Sequence, residues 1–333
     1  MAFKIGNIFC IPGTILTVSR GLKYQNQFMK DTILKDIDDI KKVNDGSLKE
    51  DDFKKIRKYY GNAVPAILGE GFCLLRGTGM SDKERASLTY LGSATGLFDD
   101  FFDHTDLTDD RILELLDNQD DSNANSSNEL LFLRFYRKAL ENTSDVKRLR
   151  HYAYEVHLAQ VKSREQYQSS MNEDELKEIT FLKGGVSLLF YRAGLEGEMS
   201  EPENELLYNL GALMQLENDI FDIYKDYQGE ISTLATTETK ISHLRSIYRD
   251  RFDKTKESLR KTSFSEKNKK KFFKFISLII CRGFVCLDCL EENEKLTGNK
   301  FELDKYIRKQ LICDMEKPKN ILKTISYYSK FGL

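Results

Sequence analysis

Few residues that end helices occur in this chain. Its 333 residues include four prolines and 20 glycines, and polar and apolar residues do not alternate over any length. Proline and glycine are poor residues for helix interiors, and alternation is the pattern of a half-buried strand. The sequence therefore predicts long helices without a sheet. Because no internal repeat and no linker-like segment divides the chain, we expect one all-α domain, residues 1–333.

An excess of charge of either sign is also missing. The chain carries 51 lysines and arginines against 53 aspartates and glutamates, which gives a formal net charge of −2. Proteins that bind nucleic acid usually concentrate positive charge against the phosphates, so this balance gives no reason to expect a nucleic-acid partner. Hydrophobic residues at 40% and charged residues at 31% permit a sizeable core and argue against wholesale disorder.

Cysteine patterns that complete a metal site are absent. Three of the six cysteines lie within residues 281–289, where Cys286 and Cys289 form a single C-x-x-C pair. Such a pair is compatible with redox chemistry or with a metal, but no second pair and no spaced histidines accompany it. We interpret the cysteines as small apolar residues of a buried helix in a reducing compartment.

Long apolar runs are absent as well. The N-terminal stretch of residues 5–18 is too short to span a bilayer, is broken by Pro12-Gly13 and follows no basic leader. We interpret it as an opening loop. On these grounds we expect a cytoplasmic protein without stable membrane insertion.

Apolar residues at helical spacing predict a series of helices. Two charged amphipathic helices, 24–43 and 49–60, come first, and a capping box of Ser81 and Glu84 begins a later one. Residues 117–128 are interpreted as a polar surface loop. The remaining helices are expected at residues 129–142, 145–170, 172–195, 203–228, 238–260, 265–296 and 302–330.

An acidic cluster ends one of these apolar helices. Residues 91–98 are apolar or small, and Asp99, Asp100, Asp103 and Asp106 follow without a turn signal. Residues three and four apart share one helix face, so three of these aspartates form a stripe with Asp100 beside it. Carboxylates at this density repel one another. A hard divalent cation with oxygen ligands is the economical way to neutralise them inside a protein.

A second helix repeats this pattern. Residues 210–216 are apolar or small except Gln215, and Asn218, Asp222 and Asp226 follow at i, i+4 and i+8, on one helix face. Taken singly, each cluster is equally well explained as a solvated helix end. Two clusters at the C-terminal ends of apolar helices, where acidic groups oppose the helix dipole, favour a functional role.

Together the two clusters suggest a substrate. Facing one another across a helical bundle, they would hold Mg²⁺, which binds through a few carboxylates and substrate phosphates. The apolar helix faces beside them would line a pocket for a hydrocarbon. We therefore expect an amphiphilic substrate with a diphosphate head and a hydrocarbon tail.

The two motifs resemble those of class I isoprenoid synthases. Asp99-Asp100-Phe101-Phe102-Asp103 looks like their first aspartate-rich motif, DDxxD, and residues 218–226 are similar to the second motif, intermediate between its prenyl diphosphate synthase and terpene cyclase forms. The resemblance implies a single-domain helical bundle of the class I terpenoid synthase type with a central active-site cavity. It also implies three Mg²⁺ ions, whose ligands would be Asp99, Asp100, Asp103, Asn218, Asp222 and Asp226.

The resemblance extends to residues that would hold the substrate. Residues 181–188 resemble a segment in which a lysine at a helix break contacts the diphosphate; here the lysine is Lys183, and Gly184-Gly185 would supply the break. Lys225 is a second expected diphosphate contact. Departure of the diphosphate would leave a carbocation on the hydrocarbon, and the faces of aromatic rings stabilise cations. The expected hydrophobic pocket residues are Phe98, Phe102, Phe181, Phe190, Tyr191 and Phe221.

One departure from the family pattern bears on the reaction. Chain-elongating prenyl synthases carry a basic Gly-Lys-Arg-x-Arg-Pro segment that binds isopentenyl diphosphate, whereas residues 61–65 are Gly-Asn-Ala-Val-Pro. A second diphosphate needs cationic partners. Lys54, Lys55, Arg57 and Lys58 precede this segment, and a solvated helix face explains them better than a substitute site does.

The sequence thus favours a terpene synthase, a carbon–oxygen lyase that ionises an allylic prenyl diphosphate, releases diphosphate and forms a cyclised or quenched terpenoid. A trans-prenyltransferase that condenses an allylic diphosphate with isopentenyl diphosphate is the alternative enzyme. A non-catalytic helical regulatory subunit is the alternative outside the enzymes. The resemblance is also compatible with a homodimer.

Overall fold

The computed structural model describes residues 11–103, 107–168 and 171–331, and all regular structure in these ranges is helical. The prediction of an all-α protein is confirmed for this part of the chain. None of the described helices is both long and apolar enough to cross a membrane.

Contacts between residues group the chain into two compact units, which are described separately. The first unit comprises residues 15–161 and 189–198, and contains the first aspartate cluster. The second unit comprises the described parts of 162–188 and 199–333 together with residues 11–14, and contains the second cluster. The expectation of one domain stays a prediction.

The first unit is built mainly from the helices of the N-terminal half, some of which extend a few residues beyond its bounds. They are α1 Ile11–Asp31, α2 Ile33–Val43, α3 Glu50–Lys54, α4 Gly61–Ala63, α5 Glu70–Arg76, α6 Asp82–Asp103, α7 Asp109–Asp117, α8 Ser127–Asn142 and α9 Val146–Ser163. Two π-helical segments, Lys55–Tyr60 and Val64–Gly69, join α3, α4 and α5 into one continuous helical stretch.

Helix α6 is the central element of the first unit, and it carries the first aspartate cluster at its end. Its start is fixed by the predicted capping box, in which Ser81 and Glu84 each bind the backbone N–H of the other at 2.9 and 3.2 Å. Its buried face includes Leu88, Leu91 and Leu97, and the helix packs along α8. The cluster is therefore attached to a helix that is anchored at its first turn and by its apolar face.

The second unit follows the same logic. Its helices are α10 Glu173–Ala193, α11 Glu201–Phe221, α12 Ile223–Gln228, α13 Leu234–Thr237, α14 Ile241–Lys261, α15 Glu266–Leu296, α16 Arg308–Leu311 and α17 Pro318–Lys330. Residues of α10 beyond 188 belong to the first unit. Helix α11 is the most buried, and it packs against both α14 and α15, while α17 lies against α15.

Several local predictions are wrong. The opening stretch is helical from the first described residue, Ile11, through Pro12 and Gly13. The helix predicted at 49–60 does not end at Tyr60 but continues through 61–65 as part of the α3–α5 stretch. The predicted helix 302–330 is divided into a 3₁₀ turn at Leu303–Lys305, the short α16 and α17.

Candidate functional site

The first aspartate cluster is reached by groups from two other elements of its unit. The Tyr60 hydroxyl donates to Asp99 Oδ2 at 3.4 Å, and the buried Gln160 amide donates to Asp99 Oδ1 at 2.6 Å. Two glycines of α6 permit the approach of Tyr60: a Cβ at Gly92 would collide with the Tyr60 carbonyl oxygen, and one at Gly96 would crowd its ring. The small residues of this helix thus bring a phenol to its first carboxylate.

The neighbouring carboxylate is neutralised by a lysine. Asp100 is buried, and Lys55 Nζ lies 3.2 Å from its Oδ1. The interaction with Asp100 contributes to a raised pKa of Lys55, against the opposing effect of burial. Asp103 is the last residue of α6, and its side chain, like Asp106 and His104, lies outside the described residues. The structure therefore defines the surroundings of Asp99 and Asp100.

Electrostatics around Asp99 keep its phenol partner protonated. The charge of Asp99, together with burial, raises the pKa of Tyr60 far above its ordinary value. Tyr60 therefore remains a hydrogen-bond donor at any physiological pH. A donor that cannot ionise stabilises the carboxylate form of Asp99, which is the form that binds a cation.

The aromatic residues beside the first cluster pack against one another. Phe98 stacks on Phe132 with ring centroids 5.6 Å apart and meets Phe102 edge-on at 5.3 Å. Phe102 also lies 5.7 Å from the His157 ring. Their assignment to a hydrocarbon pocket stays a prediction, since the contacts observed are those of an aromatic core.

The second cluster lies where α11 gives way to α12. Asp222 has φ −89° and ψ 8°, which ends α11, yet its N–H still donates to the Asn218 carbonyl at 2.8 Å, and the Asp226 N–H donates to the Asp222 carbonyl at 2.9 Å. The predicted i, i+4, i+8 spacing is thus retained across the junction. Asn218 is exposed, the Asp222 side chain is 40% exposed, and Asp226 is 8% exposed.

Asp219 is a carboxylate that the predicted site leaves out. It is 5% exposed, and its oxygens accept hydrogen bonds from Thr180 Oγ1 at 3.0 Å and Gln215 Nε2 at 2.8 Å. Thr180 is on α10, three residues before Lys183, so α10 presents a hydroxyl and a cation to α11. The only sequence signal for Asp219 is its place beside Asn218, because neither its burial nor its partner on α10 follows from spacing.

Burial shifts both deeper carboxyl groups toward neutrality. It raises the pKa of Asp219 to about 6, although the hydrogen bonds from Gln215 and Thr180 and the charge of Lys183 oppose the rise. It raises the pKa of Asp226 to about 7, and the charges of Asp219 and Asp222 add to this effect. These carboxyl groups are thus held together at an electrostatic penalty that a bound cation would relieve.

A third buried carboxyl group, Glu217, precedes the cluster. It is 4% exposed, receives a long hydrogen bond of 3.5 Å from the Tyr248 hydroxyl, and has its Oε1 3.7 Å from Arg282 Nε. Burial raises its pKa to about 7. No sequence pattern distinguished Glu217, because it lies on the α14–α15 side of α11, away from the predicted stripe.

The double glycine does not break α10. The helix runs without interruption through Gly184 and Gly185, contrary to the prediction. A Cβ at Gly184 would collide with the carbonyl oxygen of Gly211, and one at Gly185 would collide with the Tyr208 ring. These glycines allow the backbones of α10 and α11 to touch, and this contact places Thr180 beside Asp219.

The two predicted diphosphate contacts differ in their surroundings. Lys183 is half-buried, and its positive charge lowers the pKa of both Asp219 and Asp226. Lys225 is 78% exposed and lies 4.0 Å from Asp222 Oδ2. Lys183 is therefore integrated into the cluster, whereas Lys225 stands at its solvent edge.

Two of the predicted pocket aromatics of the second unit already face cations of the chain. The Arg251 guanidinium lies 3.7 Å from the Phe181 ring centroid, and the Arg282 guanidinium lies 5.2 Å from that of Phe221. In the first unit, Phe190 and Tyr191 are neighbours at 5.7 Å, and the Tyr191 hydroxyl shares a 2.8 Å hydrogen bond with Thr95. Their role in a pocket also stays a prediction.

The donor set of the second cluster fits Mg²⁺ in chemistry. It offers hard carboxylate oxygens, the kind of ligand through which Mg²⁺ binds proteins. The carboxylates of Asp219, Asp222 and Asp226 are not all within 4.8 Å of one another, however. Among the described residues, such spacing occurs at Glu173, Glu238 and His243. That group is a surface ion-pair cluster, in which Glu173 also binds Lys177.

Comparison with known proteins adds no relative. Neither a scan against protein-family models nor a search of curated proteins gives a match to this chain. The functional assignment therefore depends on the two motifs and on their surroundings within each unit.

Proposed function

We propose that this protein is a Mg²⁺-dependent class I terpene synthase that ionises an allylic prenyl diphosphate and releases diphosphate. The observation that carries the proposal is the second cluster, where carboxyl groups with raised pKa values are buried beside a lysine at the end of an apolar helix. Burying repelling carboxyl groups destabilises a fold, so their retention beside a cation favours a ligand-binding role.

Each cluster would offer ligands to Mg²⁺. Asp99, Asp103, Asp222 and Asp226 would hold Mg²⁺, with Asn218 as a neutral oxygen ligand. When bound, Mg²⁺ supplies charge that stabilises the departing diphosphate. Lys183 would hold a diphosphate oxygen, and the action of its charge on Asp219 and Asp226 supports this role. Tyr60 and Gln160 orient Asp99 by donating to its two oxygens.

The ion pairs near residues 61–65 favour a reaction with a single diphosphate substrate. Lys54 binds Asp51 at 2.8 Å, and Arg57 binds Glu50 at 3.3 Å. Lys55 binds Asp100 of the first cluster. These cations are thus engaged with carboxylates of the chain, which supports a terpene synthase over chain elongation.

A trans-prenyltransferase is the second candidate, and one observation favours it. Lys55 places a positive charge directly beside the first aspartate motif, where an incoming anion could exchange for Asp100. An acceptor diphosphate would then use Lys55 in place of the missing basic segment. The two enzymes differ in whether isopentenyl diphosphate is consumed.

Paired aspartate variants test the proposal. We expect Asp99→Asn with Asp103→Asn, and separately Asp222→Asn with Asp226→Asn, to lower Mg²⁺-dependent diphosphate release from farnesyl or geranylgeranyl diphosphate by about a hundredfold or more. Asp38→Asn with Asp39→Asn is the matched control, because both residues are exposed and should leave the rate unchanged. Circular dichroism confirms folding. Undiminished release by either motif variant would contradict the proposal.

A further inference from the structure

Sulfur atoms from two segments of the second unit gather around Cys313. Cys289 on α15 has its Sγ 3.5 Å from Cys313 Sγ, and Met315 Sδ lies 3.7 Å from the same atom. Both cysteines are free thiols. Cys289 and Cys313 are 24 residues apart in sequence, so the meeting of these sulfurs is a product of the tertiary fold.

Two separations among these sulfur atoms match those between ligands around one metal ion. A tetrahedral ion with metal–sulfur bonds of about 2.3 Å holds its sulfur ligands about 3.8 Å apart. The observed separations of 3.5 and 3.7 Å are close to this value. A fourth group is at hand, because Asn320 Oδ1 lies 3.9 Å from Cys289 Sγ.

The identity of the ligand atoms selects the kind of ion. Thiolate and thioether ligands are soft and favour Cu(I), whereas Mg²⁺ and Ca²⁺ require oxygen ligands. We propose that Cys289, Cys313 and Met315 form a binding site for a soft, thiophilic cation of the Cu(I) type, with Asn320 beside it. This site is independent of the aspartate clusters and of the proposed reaction.

The surroundings of the site let an ion enter and fix the position of the Asn320 side chain. Cys289 is half-exposed while Cys313 is 8% exposed, so an ion would reach the buried thiol past Cys289. The Asn320 side chain is fixed by donating to the Asp314 carbonyl at 2.7 Å. Because Cys289 belongs to α15 and Asn320 to α17, a bound ion would connect α15 to the C-terminal segment.

Binding would be coupled to proton release. Each thiol loses its proton to solvent when its sulfur bonds the cation, so one ion displaces two protons and affinity increases with pH.

The affinity of the site for Cu(I) is measured with the reduced full chain under argon, in competition with a chromogenic chelator. We expect wild-type protein to withdraw one equivalent of Cu(I). Cys289→Ser and Cys313→Ser should each weaken binding at least a hundredfold, and Met315→Leu should weaken it about tenfold. Cys73→Ala, a buried cysteine outside this cluster, should bind like wild type.

Cys289 is half-exposed, so we expect Cys289→Ser to fold. This variant therefore tests the proposal even if circular dichroism shows that Cys313→Ser is unfolded. Equal Cu(I) binding by wild type and Cys289→Ser would overturn the proposal. A second outcome would also overturn it. The wild type would form a Cys289–Cys313 disulfide in air, seen as a 2 Da mass loss, and after reduction it would bind no more Cu(I) than Cys289→Ser does.

Discussion

Glu217 shows how a single buried group on α11 makes stability depend on pH. Its side chain is surrounded by α14 and α15 groups, with Tyr248 and Arg282 as its polar neighbours. Burial raises its pKa to about 7 from an ordinary value of 4.5. Below pH 4.5 the group is protonated in both folded and unfolded chains. Between these two values it ionises only in the unfolded chain, so stability falls as pH rises.

Glu217→Gln should remove this part of the pH dependence. A shift of this size corresponds to about 3 kcal/mol, at about 1.4 kcal/mol per pKa unit, between pH 4.5 and 8. We therefore expect the wild type to lose more free energy of unfolding over this range than the variant does, measured by urea titration in the presence of a chelator. Asp219 and Asp226 titrate in both proteins, so the difference between them isolates Glu217. Parallel pH profiles would contradict the assigned burial effect.

At the scale of elements, close glycine contacts position the polar groups of each unit. Gly184 on α10 faces Gly211 on α11, and Gly92 on α6 faces the Tyr60 backbone. In both places the backbones of two helical segments touch, and a side chain at or near the contact meets a carboxylate. Thr180 reaches Asp219 in one unit, and the Tyr60 hydroxyl reaches Asp99 in the other.

Gly184→Ala should separate α10 from α11. The new methyl group would meet a backbone carbonyl, which cannot rotate away, so we expect a loss of about 2–4 kcal/mol in the free energy of unfolding. Gly79→Ala is the control, because nothing lies within 4 Å of its Cβ position. Urea unfolding compares the two variants. Equal stability of Gly184→Ala and the wild type would show that the helices are not held this closely.

The sequence alone predicted those features of the fold that depend on local chemistry. Helical spacing and the scarcity of proline predicted the all-α class, and the capping box at Ser81 predicted the start of α6. Gly184-Gly185 was misinterpreted because glycine lowers helix propensity locally, while its use here is a contact with a distant helix. Asp219 and Glu217 could not be identified as buried groups, since their burial depends on α10, α14 and α15.

At the scale of the whole molecule, our proposal is that each of the two acidic helix ends binds Mg²⁺ for a reaction on a prenyl diphosphate. Support comes from the order and spacing of the motifs, from the buried carboxyl groups beside Lys183 and from the anchored Asp99. Three of the four cations that precede the missing basic segment, Lys54, Lys55 and Arg57, are bound to carboxylates of the chain. Together these features predict turnover of one allylic substrate without an acceptor.

Product analysis by mass spectrometry tests this claim most directly. The purified protein is incubated with Mg²⁺ and farnesyl or geranylgeranyl diphosphate, with and without isopentenyl diphosphate, and a chelator-treated sample serves as the blank. We predict a hydrocarbon or alcohol, with released diphosphate, from the allylic substrate alone. A longer prenyl diphosphate formed only when isopentenyl diphosphate is present, or no Mg²⁺-dependent product from any substrate, would contradict the account.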